Sequence, residues 1–261
     1  MGIEHNIGGK SMLRVRIKPK TSFITNLTSS TIFGAACWAI KSLYGDERLE
    51  RVFSSDTSLA FSNAYISGYL PTGETKKDKL KHIETGEYID KSERIARVDH
   101  CMVSRDNKVA LKHWIEYEQY EENNLDIYVS TDMFDIDEIK SIFDIMLING
   151  LGKSRNKGKG QFELLDITEI SVDELGDKNG AGYMVISDYI PNETDSTIGK
   201  YSARVINRKT VNGDKCAPVY VINAGSRFIG KIGDEVIGRL QYDKDTNTYL
   251  SGRAIAIPIA V

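Results

Sequence analysis

The first recognisable pattern in the chain is a strict alternation of apolar and cationic residues. Residues 12–18 read MLRVRIK, so Leu13, Val15 and Ile17 alternate with Arg14, Arg16 and Lys18. Successive side chains of a strand point to opposite faces, so the pattern predicts a β-strand with one buried face. The cationic face is either an ordinary solvent face, which is the commoner case, or an open sheet face that takes an RNA backbone.

Residues 29–44 predict a buried helix that begins at Ser29 or Ser30, because serine is a preferred N-cap residue. Apolar residues leave this helix little polar face, at Ile32, Phe33, Ala36, Cys37, Trp38, Ile40 and Leu43. We therefore expect Trp38 to lie in the core. Gly45 is predicted to end the helix in a left-handed conformation.

A hairpin is predicted near the middle of the chain. Residues 98–103 and 108–120 have the composition of two strands, and Arg105 to Lys108 between them has the composition of a turn. The polar stretch before the hairpin lacks strong periodicity, which is typical of a functional or mobile insertion. We place the whole insertion at about residues 72–120.

The first half otherwise alternates strands and helices. Asp135 and Glu138 have capping-box spacing, so a second helix is predicted to start there and to end at Gly150. Further strands are predicted at residues 59–66, 126–131 and 161–167. The resulting order is strand, helix, strand, insertion, strand, helix, loop and strand, close to that of a ferredoxin-like (RRM-like) α+β domain.

The second half has a different pattern. An acidic, glycine-containing stretch over residues 173–182 is followed by short strand-like runs at 183–190, 201–206, 219–222 and 228–240. Only short helices fit between these runs. We therefore predict two modules, one over residues 12–172 and a smaller β-rich one over residues 173–261.

A glycine-rich loop joins the second helix to the next strand. Residues 150–162 read GLGKSRNKGKGQF, with four glycines, four cations and no acid. Glycine permits positive φ and close backbone approach, exposed N–H groups hold anions, and lysine and arginine add charge for phosphate. The loop is therefore either a clamp for a polyphosphate backbone or a solvated surface loop with a cationic tip.

Composition limits where a nucleic-acid site can lie. The chain has 261 residues and a net charge of -3, so a basic site must be local. Three widely separated cysteines show no metal-ligand spacing and favour a reducing cytoplasm. No apolar run is long enough to span a membrane. Residues 1–11 are glycine-rich and polar, and we expect a flexible lead or a tag remnant.

Three stretches together resemble the RAMP superfamily of CRISPR proteins. The loop GLGKSRNKGKGQF is similar to its glycine-rich loop. The stretch SSTIFGAACWAIKSLYG over residues 29–45 is similar to the first helix of the subunit that caps the 5′ end of the guide RNA in type III-A (Csm) interference complexes. A weaker match is AGSRF over residues 224–228.

The resemblance implies a ferredoxin-like RAMP domain with an inserted thumb hairpin and a degenerate RAMP-like second module. It implies a non-catalytic subunit without metal or cofactor that caps the 5′ handle of the crRNA. Its partners would be that RNA, target RNA through the guide duplex, a large polymerase-like subunit and backbone RAMP subunits. The implied RNA-binding residues are Gly150, Gly152, Lys153, Ser154, Arg155, Asn156, Lys157, Gly158, Lys159, Gly160, Arg14, Arg16, Ser30, Gly225, Ser226 and Arg227. The implied thumb residues are His100, Arg105 and Lys108.

Two alternatives remain open from the sequence. The first is a metal-independent endoribonuclease of the RAMP type that processes guide RNA with His100 or His113 and a nearby lysine. No histidine lies within residues 29–45, where such enzymes can carry their general base, and a structural or RNA-stacking histidine is the better explanation. The second is the equivalent capping subunit of another CRISPR type.

Overall fold

A computed structural model describes residues 12–73, 79–90, 94–106, 108–177, 179–195, 198–210, 212–230 and 234–260. The prediction for residues 1–11 lies outside the described residues. The first half contains both α-helices. Its elements are β1 Met12–Pro19, α1 Ser29–Val52, β2 Leu59–Phe61, β3 Tyr65–Ile66, β4 Tyr69–Pro71, β5 Lys79–His82, β6 Tyr88–Asp90, β7 Arg94–Val103, β8 Ala110–Tyr120, β9 Leu125–Thr131, α2 Ile136–Asn149 and β10 Phe162–Ile170.

The second half is built of short strands. They are β11 Gly182–Val185, β12 Gly199–Lys200, β13 Ala203–Ile206, β14 Val219–Ile222, β15 Arg227–Ile229, β16 Val236–Ile237, β17 Leu240–Asp243, β18 Thr248–Ser251 and β19 Ala254–Ile259. The described chain is therefore an α+β fold that is mostly strands, as the sequence predicts.

The first sheet has the strand order β10-β1-β9-β2, with β3 also paired to β9. All its pairs are antiparallel. The predicted alternation of β1 is confirmed, because Leu13, Val15 and Ile17 are buried in one cluster with α1 and α2. Both helices thus cover the same face of the sheet.

The other face of this sheet is covered by the second half of the chain. Met12 and Tyr128 pack with Met184, Ile255 and Ile257 in a second buried cluster. Of the two alternatives for the cationic face, the open sheet face is therefore wrong, and the face is not wholly exposed to solvent either, since Arg14 and Arg16 are half-buried. Partial burial of an unpaired arginine costs free energy of folding. Carboxylates on the neighbouring strands reduce this cost.

Arg16 shows this compensation. It lies opposite Asp126 on β9 and Asp166 on β10. Its Nε and Nη2 donate to the two oxygens of Asp126 at 2.8 and 3.2 Å. Asp126 is 1% exposed and also accepts hydrogen bonds from Ser67 Oγ and the Gly68 N–H. Asp126 therefore joins β1, β9 and the turn before β4.

Helix α1 begins at Ser29, within the predicted start, but its N-cap residue is neither of the two predicted serines. Thr28 is the N-cap residue, and its side chain makes no capping hydrogen bond. Asn63 Oδ1 instead accepts a hydrogen bond from the Ser29 N–H at 2.7 Å. Gly45 has a positive φ of 83°, as predicted, with ψ -178°, but it interrupts the helix rather than ending it, because helical structure resumes and continues to Val52.

Trp38 is the main error in the predicted core. Its side chain is 50% exposed, whereas Ile32, Ala36 and Ile40 are fully buried. Successive helical residues are separated by roughly 100°, so Trp38 lies about 160° around the axis from Ala36. The helix has one buried face and one exposed face, although both carry apolar residues.

We expect Trp38→Ala to lower the free energy of unfolding by no more than about 1 kcal/mol, as for a surface substitution. The matched variant Ile40→Ala removes a fully buried side chain and should cost about 2–5 kcal/mol. Chemical denaturation of both variants measures the difference. A larger loss for Trp38→Ala than for Ile40→Ala would contradict this orientation of α1.

Helix α2 forms as its local sequence predicts. Asp135 accepts a hydrogen bond from the Glu138 N–H, and the Glu138 side chain accepts one from the Asp135 N–H, which completes the capping box. Gly150 ends the helix with φ 74°. Ile139, Ile142 and Phe143 are fully buried against the sheet.

The predicted hairpin is confirmed and is longer than expected at its first strand. Strands β7 and β8 pair in antiparallel register from Arg94 opposite Tyr120 to Val103 opposite Ala110. They form a two-stranded sheet, and at the base Phe23 bridges to Gln119. Strands β5 and β6 of the same insertion form a separate three-stranded sheet with β4, which lies just before the predicted insertion.

The second half forms a sheet of order β12-β15-β11-β19-β16 with two small hairpins, β13–β14 and β17–β18. The strand-like run predicted at residues 228–240 forms three elements, β15, β16 and the start of β17. Strand β19 was not predicted. Arg253, just before β19, is buried. Its guanidinium donates to the carbonyl oxygens of Val52 and Ser54, where α1 ends. The last strand is therefore tied to the first helix.

Candidate nucleic-acid interface

The glycine-rich loop is a closed turn rather than an open tether. The Leu151 N–H donates to the Gly160 carbonyl at 2.8 Å, which closes the loop across its neck. Between these residues Arg155–Lys157 form a short 3-10 turn flanked by Ser154 and Gly158, both left-handed. A Cβ on Gly160 would lie 2.0 Å from the Leu151 carbonyl oxygen, so glycine is required there.

The loop is anchored on the segment between β1 and α1. Ser22 accepts a hydrogen bond from the Gly160 N–H through its carbonyl. Thr25 Oγ1 accepts one from the Lys153 N–H at 3.0 Å. A Cβ on Gly152 would lie 3.0 Å from the Thr25 side chain. These contacts give the loop one defined position against the domain.

Two of the four loop cations are paired with carboxylates of β8. Lys153 Nζ lies 2.8 Å from Glu116 Oε1. Lys159 Nζ lies 2.6 Å from Glu118 Oε2 and 3.0 Å from Ser22 Oγ. Both carboxylates are buried. Of the four predicted mobile cations, Lys153 and Lys159 are therefore held in ion pairs, and Arg155 and Lys157 are the two loop cations outside these pairs.

Both glutamates are ionised at neutral pH. The hydrogen bond from Lys153 lowers the pKa of Glu116. Burial alone would raise the pKa of Glu118, but hydrogen bonds from Lys159, Ser22 and Tyr120 outweigh it, and the net pKa is lowered. A carboxylate whose pKa is lower in the folded state than in the unfolded state stabilises the fold at every pH above the unfolded-state pKa. These contacts therefore stabilise the fold at neutral pH. They are lost only as the pH falls through the lowered values.

The two remaining cations border an aromatic surface on the hairpin. Arg155 and Lys157 are exposed, as are Asn156 and Gly158. Lys157 Nζ lies 5.6 Å from the centre of the Trp114 ring, and Lys112 Nζ lies 5.9 Å from it. His100 stacks on Trp114 with centroids 5.1 Å apart. Aromatic rings beside cations suit single-stranded nucleic acid, whose bases stack and whose phosphates are anionic.

The three predicted thumb residues are separated by the hairpin. His100 lies midway along β7, beside Trp114, and its Nε2 is 3.2 Å from Glu116 Oε2. Arg105 and Lys108 lie at the exposed tip, where Lys108 has φ 56°. The structure thus brings His100 to the glycine loop and leaves the other two remote from His100 along the strands.

A cleft of about 680 Å³ lies on the other side of the segment between β1 and α1. Its walls come from that segment up to the N-cap of α1, from residues around β3, β4 and β5, from the hairpin base and from the second half of the chain. Lys79 and Lys200 are exposed cations of its lining, and Tyr201 is 53% exposed. The cleft is therefore large enough for a nucleotide and has cations at its walls.

The Gly225 turn contributes to this cleft, but its residues differ in role. Gly225 has φ 87° and donates its N–H to the Val185 carbonyl. Ser226 is buried and its hydroxyl donates to the Asn223 carbonyl. Arg227 is half-buried, and a Cβ on Gly73 would lie 2.6 Å from its side chain. The turn therefore forms part of the cleft wall, while the Ser226 hydroxyl and the Arg227 side chain contact other residues of the protein.

The other predicted residues lie apart from the loop. Ser30 is half-buried in the first turn of α1, with its Oγ 3.1 Å from Thr28 Oγ1. Arg14 and Arg16 lie on the half-covered sheet face. Arg14 Nε is buried without a hydrogen-bond partner among the described residues. The structure therefore does not bring Arg14, Arg16 and the loop cations into one uninterrupted surface.

Sequence reasoning missed four residues of this interface: Lys112, Trp114, Glu116 and Glu118. All four occupy alternate positions of β8, so they share one face of the hairpin. The signal was present, because a strand with a tryptophan and two acids on one face lies in the same domain as a loop with four cations. The pairing itself depends on tertiary contact.

Two findings concern other classes of site. Among the residues described here, no helix is both long and apolar enough to cross a membrane. Nor do the described ranges contain a group of three or more His, Cys, Asp or Glu side chains that could hold a metal ion.

The fold is similar to that of Csm4 in solved structures of type III-A CRISPR-Cas components. One match is in the crystal structure of a Csm1-Csm4 cassette in complex with AMPPNP, with TM-score 0.61 and 18% identity, over 96% of this chain and 98% of that chain. Another is in the Csm3-Csm4 subcomplex of the type III-A interference complex, with TM-score 0.61 and 17% identity, over 95% of this chain and 99% of that chain. No protein-family model matches the chain, and no curated protein matches its sequence.

Proposed function

We propose that this chain is a non-catalytic crRNA-binding subunit of a type III-A CRISPR effector complex, where it caps the 5′ handle of the guide. The observation that carries the proposal is that a fold similar to Csm4 along 96% of the chain presents a glycine-rich loop with exposed Arg155 and Lys157. In this proposal the chain docks on a large polymerase-like subunit and on backbone RAMP subunits, in keeping with the Csm1 and Csm3 components of the similar structures.

The first sheet and its two helices are, in this proposal, a ferredoxin-like domain. Strands β1, β2, β9 and β10 with α1 and α2 follow the order β-α-β-β-α-β, and both helices pack on one face. The hairpin β7–β8 is the thumb that reaches target RNA through the guide duplex. Those assignments place the loop and the thumb on adjoining parts of one surface.

The proposed path of the handle uses both sides of the segment between β1 and α1. On one side Thr25 anchors the glycine loop, and on the other Asn26 and Thr28 line the cleft. Single-stranded nucleotides read by stacking and edge contacts are the usual targets of specific RNA binding. Exposed tyrosine and lysine side chains in the cleft, and Trp114 beside the loop, suit that mode.

A binding comparison tests the handle-capping role. Guide RNA with its native 5′ handle and the same RNA with the handle scrambled are titrated at one salt concentration, with and without the partner subunits. We expect tighter binding of the native handle in the assembled complex. Equal affinity for the two RNAs in that complex would exclude the handle-capping role.

We expect the double variant Arg155→Ala, Lys157→Ala to weaken RNA binding without unfolding the protein, since both side chains are exposed. Each lost phosphate contact should reduce the salt dependence of binding by roughly 0.7 in log–log slope for a single strand. The matched control is Lys41→Ala, Lys244→Ala, which removes the same charge from α1 and from the β17–β18 turn. An equal loss in both double variants would show that only net charge matters.

One observation favours a second candidate, the RAMP-type endoribonuclease. His100, Glu116 and Lys153 form a chain of contacts beside the loop, with His100 Nε2 3.2 Å from one carboxylate oxygen and Lys153 Nζ 2.8 Å from the other. A carboxylate can orient a histidine for general base catalysis. Incubation with repeat RNA in EDTA separates the candidates. We expect intact RNA, whereas specific cleavage lost in His100→Ala but kept in His113→Ala would favour the enzyme.

A further inference from the structure

The two lysine–glutamate pairs between the loop and the hairpin differ in exposure. The Lys159 side chain is 29% exposed and its partner Glu118 is 2% exposed. Ser22 Oγ and Tyr120 Oη both donate to the same Glu118 oxygen, at 2.7 and 3.1 Å. Lys159 also contacts Ser22 at 3.0 Å. Neutral hydroxyl groups therefore surround this pair and hold both side chains in place. We call the Lys159–Glu118 pair a brace between the loop and the hairpin.

The pair of Lys153 and Glu116 is open on one side. The Lys153 side chain is 62% exposed, although its partner Glu116 is 8% exposed. The Lys153 backbone is anchored by Thr25, so its long side chain can turn without moving the loop. The exposed lysine can reach water or another anion, which limits what the pair adds to stability. Glu116 keeps a neighbour when Lys153 turns away, because His100 Nε2 lies 3.2 Å from its other carboxylate oxygen. Exchange of Glu116 for another anion at Lys153 is therefore accessible.

Glu116 occupies the position of an anion ligand beside the other loop cations. The hydrogen bond from Lys153 is the main cause of the lowered pKa of Glu116, and Coulomb attraction from Lys153, His100 and Lys157 adds to it. Lys157 itself lies over Trp114, two positions before Glu116 on the same strand face. A phosphate bound by Arg155 and Lys157 would thus come close to the Lys153–Glu116 pair.

We propose that Glu116 is an internal competitor for phosphate at Lys153, whereas Glu118 is a permanent brace for Lys159. The inference rests on the proposed RNA-binding function of the loop. When a nucleic-acid backbone binds at Arg155 and Lys157, Lys153 moves from Glu116 to a phosphate, and the middle of the hairpin loses one of its two ionic ties to the loop. Occupation of the loop and the position of the hairpin are then coupled.

A double-mutant cycle tests this competition, with handle RNA binding measured by fluorescence anisotropy. Glu116→Gln keeps the shape of the side chain and removes its charge. We expect a roughly two- to fivefold gain in affinity, the scale of one exposed ion pair, and a log–log salt slope steeper by roughly 0.7. Unchanged or weaker binding by a folded Glu116→Gln variant would overturn the proposal.

The second side of the cycle tests whether the gain passes through Lys153. In a Lys153→Ala background Glu116→Gln should give no gain, because the freed lysine is absent. A gain that persists there would come from net charge and would also overturn the proposal. Glu118→Gln is the matched control with the same charge change, and we expect no gain from it. Thermal melting of each variant verifies that it is folded.

Two ligands distinguish failure of the inference from failure of the proposed function. Handle RNA and scrambled RNA report on the function, since equal binding of both by the assembled complex excludes handle capping. Inorganic tripolyphosphate has phosphate charge but no nucleotide sequence. Its affinity is measured for Glu116→Gln, Lys153→Ala, their combination and Glu118→Gln. A Lys153-dependent gain with tripolyphosphate supports the competition whatever RNA is bound. No gain with either ligand overturns it, even where native handle is preferred.

Discussion

Asp126→Ala is expected to lower the free energy of unfolding by about 3 kcal/mol, the low end for breaking a buried ion pair. Asp126 is 1% exposed and accepts hydrogen bonds from Arg16, Ser67 and Gly68. Its removal leaves the Ser67 hydroxyl and the Gly68 N–H without this acceptor. The Arg16 side chain is 24% exposed, so it can reach water, which places the loss near the low end.

The control for this variant is the other carboxylate beside Arg16. Asp166 lies 3.9 Å from Arg16 Nη1 and is 42% exposed, so Asp166→Ala should cost less than about 1 kcal/mol. Urea denaturation of both variants provides the comparison. Similar losses for the two would mean that Arg16, rather than the buried hub at Asp126, determines the stability of this sheet face.

Gly160→Ala is expected to open the glycine-rich loop, at a cost of about 3 kcal/mol. Alanine at φ 65° carries a left-handed strain of roughly 1–2 kcal/mol. Its Cβ would lie 2.0 Å from the Leu151 carbonyl oxygen, so the two strands of the neck must separate. Separation breaks the hydrogen bond from the Leu151 N–H to the Gly160 carbonyl, worth about 1 kcal/mol.

Gly158→Ala is the matched control in the same loop. Gly158 has φ 78°, and a Cβ there would meet no atom within 4 Å. It therefore carries the left-handed strain alone, about 1 kcal/mol. Melting temperature measures the stability loss, and hydrogen exchange of the Leu151 amide reports on the neck. Equal effects of the two alanines would show that close packing at the neck is unimportant.

Elements with a local sequence signal could be predicted. The alternation in β1 and the capping box of Asp135 and Glu138 are short-range patterns, and both form as expected. The glycine-rich loop was identified from composition. Those features depend on contacts within a few residues, which a single sequence displays directly.

The orientation of α1 could not be predicted because both of its faces are apolar. A pattern of apolar and polar positions does not distinguish Trp38 from Ile40. In the structure Trp38 is 50% exposed and Ile40 is fully buried. Only the packing of the helix in the buried cluster that it shares with α2 and the first sheet decides between them. The same limit applies to β19, whose partners β11 and β16 are remote in sequence.

The charge state of the candidate site was hidden for a related reason. The loop contains four cations and no acid, and taken alone it indicates a strongly cationic surface. The compensating Glu116 and Glu118 lie more than thirty residues earlier, on a hairpin whose docking position depends on Phe23 and Gln119. Local charge counting therefore overestimated the number of lysines available to a ligand.

The link between Arg253 and the end of α1 has a consequence for synthesis on the ribosome. The first sheet and both helices are complete once β10 has emerged, but Met12 and Tyr128 are covered by Met184 of β11 and by Ile255 and Ile257 of β19. Until β19 arrives, the nascent chain exposes part of that apolar face, and the carbonyls at the end of α1 lack the Arg253 guanidinium. Emerging chains at this stage are prone to aggregation, and a premature stop before codon 253 yields a species that chaperones and proteases recognise.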